Sequence, residues 1–276
     1  MLELLNINYR YSRKSPEVLH DISASIGSGC HLLIGENGSG KTTLLHIMSA
    51  LRYPTSGSCT LDDTTLIPRQ PSLLNRIQFF GDGMEFPAPS IDDMVRAHSP
   101  FFPNFDSDML LRNLDTFGIS PTTKFKKMSL GTRHKAQLAY MLSLRCDILL
   151  LDEPTNGLDI GSRQAFRRMI LECLSEEQTL VVSSHTPGDF EDIYDSIMLL
   201  SRGRLLVNLP IEEITSRIAF VNSPTTLASA LYCEPQFGTN RCIVPNPDGS
   251  IQSQFDLTML YNSLTSDNRD EILKHL

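Results

Sequence analysis

The sequence predicts an α/β protein built on a mainly parallel sheet, with an N-terminal antiparallel β region, an inserted α-helical subdomain and a small C-terminal α/β appendage. Three observations carry this. A glycine-rich loop, Gly35-Glu36-Asn37-Gly38-Ser39-Gly40-Lys41-Thr42, joins the apolar run His31-Leu32-Leu33-Ile34 to a stretch, Thr43 to Leu51, with apolar residues at helical spacing. Further on, apolar segments at Asp147 to Leu151, Thr179 to Ser183 and Ser196 to Leu200 alternate with helix, an order that yields parallel strands covered on both faces. Between these blocks the chain changes character, and prolines at 87, 89, 100, 103 and 121 punctuate helix-like segments.

Each element has a local reason. Leu2 to Tyr9 and Ile22 to Ile26 alternate apolar and polar residues, as half-buried strands do, around a polar stretch from Ser12 to Glu17. Gly57 to Leu61 and Ile77 to Phe80 read as further short strands after the glycine loop and its helix. In the middle third Ser90 caps a helix through His98, Asp106 caps one ending near Gly118, and Ser129 caps one through Leu144. Phe166, Met169, Ile170, Cys173 and Leu174 form one apolar stripe, which is core packing. These elements place the main body in residues 1–216, with its helical subdomain at about 83–146, and the appendage in 217–276. In the appendage Ile243-Val244, an Asn246-Pro247-Asp248-Gly249 turn and the alternating Ile251, Ser253 and Phe255 predict a hairpin, after which Asp256 caps a short helix.

Composition narrows the function. The 276 residues are 41% apolar and 20% charged, as in ordinary soluble globular proteins. A net charge of −8 argues against nucleic acid as a partner, because phosphate binders gather Lys and Arg. The six cysteines show neither a paired motif nor zinc-like spacing, so they are expected as buried free thiols in a reducing compartment. With Glu3, Arg10, Arg13 and Lys14 near the start and no apolar h-region, no secretory leader is expected, and no apolar run is long enough to cross a bilayer. A cytoplasmic location is expected, with any membrane role acting through a partner chain.

The chemistry sits at three places. Gly35 to Thr42 fits the phosphate-cradling P-loop at every fixed position, in the strand–loop–helix context that the motif needs. Loop amides and the helix N-terminus favour a polyphosphate; Lys41 would reach its β- and γ-phosphates and the Thr42 hydroxyl would ligate magnesium. Ile148-Leu149-Leu150-Leu151-Asp152-Glu153-Pro154 is a buried strand that delivers two acids to its carboxyl end. Asp152 would hold the magnesium shell, and Glu153 would orient or deprotonate the attacking water. A third strand ends at His185, whose imidazole would contact the γ-phosphate. A nucleoside triphosphate is therefore the expected ligand.

With these motifs in this order, residues 2 to 215 resemble the nucleotide-binding subunits of ABC (ATP-binding cassette) transporters. Met128-Ser129-Leu130-Gly131-Thr132 stands in the place of that family's signature, Asn156-Gly157-Leu158-Asp159 in that of its D-loop, and Ser184-His185 in that of its switch histidine. The resemblance implies a P-loop NTPase core that binds ATP and Mg2+ and is an ATPase. Gly35, Glu36, Asn37, Gly38, Ser39, Gly40, Lys41, Thr42 and Thr43 would surround the phosphates, and Tyr11 would stack on the adenine. Lys41, Glu153 and His185 would be catalytic, and Thr42, Asp152 and Asp82 would face the metal. Two subunits, identical or different, would clamp two ATP molecules head to tail, each site completed in trans by Ser129, Gly131 and Asp159 of the other chain. The pair would drive an integral membrane permease from the inner face of the cell membrane, and the signature and Glu-Pro-Thr-Asn-Gly-Leu-Asp block resemble bacterial export systems.

Two departures stand out. Leu130 and Thr132 replace the glycine and glutamine usual in the signature, and an ordinary backbone is expected at Leu130 rather than a left-handed one. Asp82 aligns with the usual Q-loop glutamine, whereas Gln78 lies within its strand and out of phase. A soluble ABC-type ATPase for cofactor assembly or another cytosolic machine, a nucleotide-gated clamp without useful turnover, and a small-molecule kinase are the competing readings. The kinase explains neither the signature nor the D-loop.

Overall fold

Two sheets share the first third of the computed structural model, which describes residues 1–276 except 82, 186, 191 and 192. Strands β1 (Leu2–Tyr9) and β2 (Leu19–Ile26) pair antiparallel, and β3 (Gly29–Ile34) leads through the glycine loop into helix α1 (Lys41–Met48). Strand β4 (Ser56–Leu61) returns to pair with β1, followed by the short β5 (Thr64–Thr65), a turn of helix α2 (Pro71–Leu74) and β6 (Ile77–Gly81). Helices α3 (Ile91–His98), α4 (Ser107–Thr116) and α5 (Leu130–Ser143) form the inserted subdomain. Their starts are set by Ser90, Asp106 and Ser129, whose side chains accept the amides of Asp93, Met109 and Thr132.

The chain then re-enters the central sheet. Strand β7 (Ile148–Asp152), helix α6 (Ile160–Cys173), β8 (Thr179–Ser184) and β9 (Ser196–Ser201) follow, and β10 (Arg204–Pro210) folds back antiparallel on β9. The six strands lie in the order β10-β9-β3-β8-β7-β6, the last five of them parallel, while β2-β1-β4-β5 make the antiparallel sheet. Side chains alternate between the two faces of the central sheet. Leu33, Leu150, Val181 and Met198 pack with α1 and the antiparallel sheet. Leu32, Leu151, Val182 and Leu199 pack with α5 and α6. Strand β10, rich in leucine but half-exposed, is not among the elements expected from the sequence.

The appendage departs further. Helix α7 (Ile211–Arg217) leads to β11 (Ile218–Ser223), β12 (Tyr232–Gln236) and β13 (Thr239–Pro245), ordered β11-β13-β12, and to helices α8 (Leu257–Thr265) and α9 (Arg269–His275). The expected hairpin partner, Ile251 to Phe255, forms no strand. Instead the buried Asn246 side chain accepts the Ile251 amide at 3.0 Å and donates to its carbonyl at 3.1 Å, and the Ser253 hydroxyl accepts the Phe220 amide at 3.0 Å. Side chains thus do what a ladder would have done. The cysteine expectation is also corrected. Cys30, Cys59, Cys146 and Cys173 are buried free thiols, but Cys233 and Cys242 form a disulfide. They face each other across β12 and β13 with Cα atoms 4.2 Å apart, a pairing set by strand register, which no short motif announces.

Candidate functional site

The glycine loop is shaped by close approach and backbone hand. A Cβ on Gly35 would lie 2.1 Å from the Leu200 carbonyl oxygen, so no side chain fits there. Gly40 holds φ at +109°, a region open to glycine, and its carbonyl accepts the Leu44 amide as α1 begins. No side chain caps that helix and no acid lies in its first turn, which leaves its amides for an anion. Lys41 is buried and folds back on the loop, donating to the carbonyls of Gly35 at 2.7 Å and Glu36 at 3.3 Å. Burial pushes its ammonium pKa down, against the pull of Glu153 and Asp152. The Ser39 hydroxyl is buried without a hydrogen-bond partner among the described residues. An unpartnered hydroxyl, uncapped amides and a desolvated cation all fit a polyphosphate.

The carboxyl ends of β7 and β8 form the opposite wall. Thr42 Oγ1 donates to Asp152 Oδ2 at 2.6 Å, and Ser183 Oγ donates to Asp152 Oδ1. The same Ser183 oxygen accepts the Glu153 amide at 3.0 Å. Glu153 has φ of +50°, rare for a residue with a side chain and worth about 1–3 kcal/mol of strain. That turn swings its carboxylate towards His185, whose Nδ1 lies 2.7 Å from Oε2 and whose amide donates to the same oxygen at 3.3 Å. Tyr11, Gly38, Lys41, Thr42, Asp152 and Glu153 line one cavity of about 410 Å³. Tyr11 stands at its mouth, its hydroxyl 2.8 Å from Thr43 Oγ1 and its ring 4.9 Å from the Arg52 guanidinium. Ser183, which joins Asp152 to Glu153, went unnoticed in the sequence; its only signal there is its place one residue before Ser184-His185.

Ser129, Gly131 and Asp159 lie elsewhere and line no part of that cavity. Ser129 caps α5 and Asp159 caps α6, with Asp159 Oδ1 accepting the Ser162 amide at 2.9 Å. This bond and a second from the Ser162 hydroxyl hold the Asp159 carboxyl below its usual range. A Cβ on Gly131 would sit 3.4 Å from the Gly157 carbonyl, so the first turn of α5 lies against the Gly157 turn. Leu130 is an ordinary helical residue at the first position of α5, 81% exposed. Asp82 lies outside the described residues.

A glycine loop between a parallel strand and a helix, faced by the two acids at the carboxyl end of β7, defines the class of P-loop nucleoside triphosphatases. The family model described as ABC transporter matches residues 19–156, half of the chain, and the chain belongs to that family of ATPases. It is 29% identical over 208 residues to the uncharacterized ABC transporter ATP-binding protein YcbN of Bacillus subtilis (strain 168), covering 72% of this chain and 66% of that one. It is 27% identical over 231 residues to the energy-coupling factor transporter ATP-binding protein EcfA2 of Staphylococcus aureus (strain MRSA252), covering 76% of this chain and 79% of that one. Among solved structures, an ATP-binding subunit of an ABC transporter superposes with a TM-score of 0.69 at 19% identity over 78% of this chain and 91% of its own. The structure of a putative cobalt transport ATP-binding protein (cbiO-2) gives 0.67 at 21% identity and covers 99% of this chain and 100% of its own. That last fold likeness extends through the appendage.

Proposed function

We propose that the chain is the ATP-hydrolysing subunit of an ABC transporter, working as a head-to-tail pair with a second nucleotide-binding subunit. The observation that carries this is the meeting of Thr42, Asp152 and Glu153 beside an anion-ready helix N-terminus. In this reading the amides from Gly35 to Thr43 and the Lys41 ammonium hold the phosphates, and Tyr11 stacks on the base. The hydroxyl of Thr42 and the carboxylate of Asp152, hard oxygens 2.6 Å apart, suit Mg2+, which when bound offsets charge on the phosphates. Glu153 takes a proton from the attacking water while His185 orients its carboxylate and meets the γ-phosphate.

Each site needs a second chain, because Ser129, Gly131 and Asp159 stand apart from their own P-loop. A solved relative described as a dimeric ATP-binding cassette bound to ADP and Pi supports this arrangement. Residues 1–216 act as the ATPase unit and 217–276 as an appendage to it. No helix among the described residues is long and apolar enough to cross a membrane. In this reading the ATPase unit drives a separate permease, met at the cytoplasmic face. The direction of transport is not assigned to export. The relatives give it no support, since one is named for an energy-coupling factor transporter and another for putative cobalt transport.

Glu153→Gln tests the reading. Turnover is expected to fall by about 10²–10⁴, and an ATP-bound dimer to accumulate in size-exclusion chromatography. Full ATP turnover by that variant would refute the base assignment.

A further inference from the structure

We infer that His134 is a positioning residue that ties the catalytic turn of each chain to the helix with which that chain completes its partner's site. This rests on the two-chain reading above. His134 lies on α5, five residues after Ser129 and three after Gly131, so the three move as one rigid unit. Its Nε2 lies 2.8 Å from the carbonyl oxygen of Pro154. A carbonyl only accepts, so Nε2 carries the proton in this bond. The ring is half-buried and leans on Phe80 of β6, with centroids 5.2 Å apart.

Pro154 directly follows Glu153. Having no N–H, it can be gripped through its backbone only at its carbonyl, and His134 grips it there. Glu153 itself sits in the left-handed region, where the direction of its side chain depends on how the flanking peptides are held. The Ser183 hydroxyl holds the amide of Glu153 itself, and His134 holds the carbonyl of the next residue, Pro154. A displacement of α5, when Ser129 and Gly131 close on the partner's ATP, therefore reaches the Pro154–Thr155 peptide, one residue on from Glu153, through one hydrogen bond. Hydrolysis of a chain's own ATP is thereby coupled to occupation of the site that it completes.

The experiment uses the full chain as wild type, His134→Phe, His134→Asn and His134→Gln, with steady-state ATPase kinetics, the Hill coefficient for ATP and the melting temperature of each. Phenylalanine keeps the packing on Phe80 without a donor, asparagine keeps an amide too short to reach, and glutamine restores a donor of suitable length. The first two are expected to lower kcat by about tenfold, the scale of a group acting through its neighbour, with KM within about twofold and the Hill coefficient near 1. Glutamine is expected to return both values towards wild type. The inference is overturned if His134→Phe and His134→Asn keep wild-type kcat and cooperativity. It is also overturned if glutamine loses as much as phenylalanine in step with melting temperature, which is plain packing. A wild-type protein that turns over as a monomer without cooperativity overturns the two-chain reading and this inference together, whereas cooperative variants remove the role of His134 alone.

Discussion

Removing the Ser183 hydroxyl should separate stability from metal use in a way that the geometry makes calculable. Ser183 is fully buried; it donates to Asp152 Oδ1 and accepts the Glu153 amide at 3.0 Å. In Ser183→Ala the Glu153 amide keeps the Ser183 carbonyl at 3.2 Å, so no buried donor is orphaned. What is lost is one hydrogen bond to an ionised group, a net about 1.5–3 kcal/mol. For a domain of this size that corresponds to a melting temperature roughly 3–12 °C lower. Asp152, left with Thr42 alone among these contacts, is no longer held on both oxygens, and an outer partner of a ligating carboxylate is worth about 10–100-fold in metal affinity. Differential scanning fluorimetry without nucleotide reads the first effect, and a magnesium titration of ATPase activity reads the second. A melting point within about 1 °C of wild type together with an unmoved magnesium midpoint would refute the bridging role.

Other substitutions probe the remaining parts. Ser129→Ala removes the acceptor of the Thr132 amide and should lower stability by about 1 kcal/mol. Its monomers should bind ATP normally in equilibrium dialysis yet neither dimerise nor turn over, and a loss of monomer affinity would contradict the trans assignment. Lys41→Ala should weaken ATP binding by about 10–100-fold in calorimetry, the worth of a charged hydrogen bond, and unchanged affinity would rule out the cradle. Acid should destabilise the fold. Burial holds His31, His46 and His98 below the usual imidazole range, so the unfolded chain takes up protons first and stability is lost as pH falls below about 6.5. Urea midpoints measured from pH 8 to pH 5 should fall accordingly, and a flat profile would exclude it.

Local chemistry made much of this molecule readable before any coordinates. The glycine loop is legible because Gly35 and Gly40 answer constraints that only glycine meets. Ser90, Asp106, Ser129 and Asp256 are legible as caps because each bonds an amide only three residues on. What stayed hidden depends on register between distant segments. Ser183 reaches Asp152 because β7 and β8 run parallel with those two residues opposed. His134 reaches Pro154 because α5 packs over that turn, and Cys233 meets Cys242 through the pairing of β12 with β13. The Ile251 to Phe255 segment misleads because its alternation is genuine while its partner is the Asn246 side chain rather than a strand.

The appendage shares its interior with the ATPase unit. One continuous apolar cluster joins Ile197 and Leu199 of β9 and Val207 of β10 to Ile243 of β13 and Leu260 of α8. During synthesis this has a consequence for order of folding. Chains emerge N-terminal end first at about 5–20 residues per second, so that flank of the central sheet waits several seconds for residues 218–276 to arrive and cover it. In that interval the nascent chain already holds its complete glycine loop and its Asp152–Glu153 turn while carrying a naked apolar flank, a surface for chaperones to shield on the ribosome.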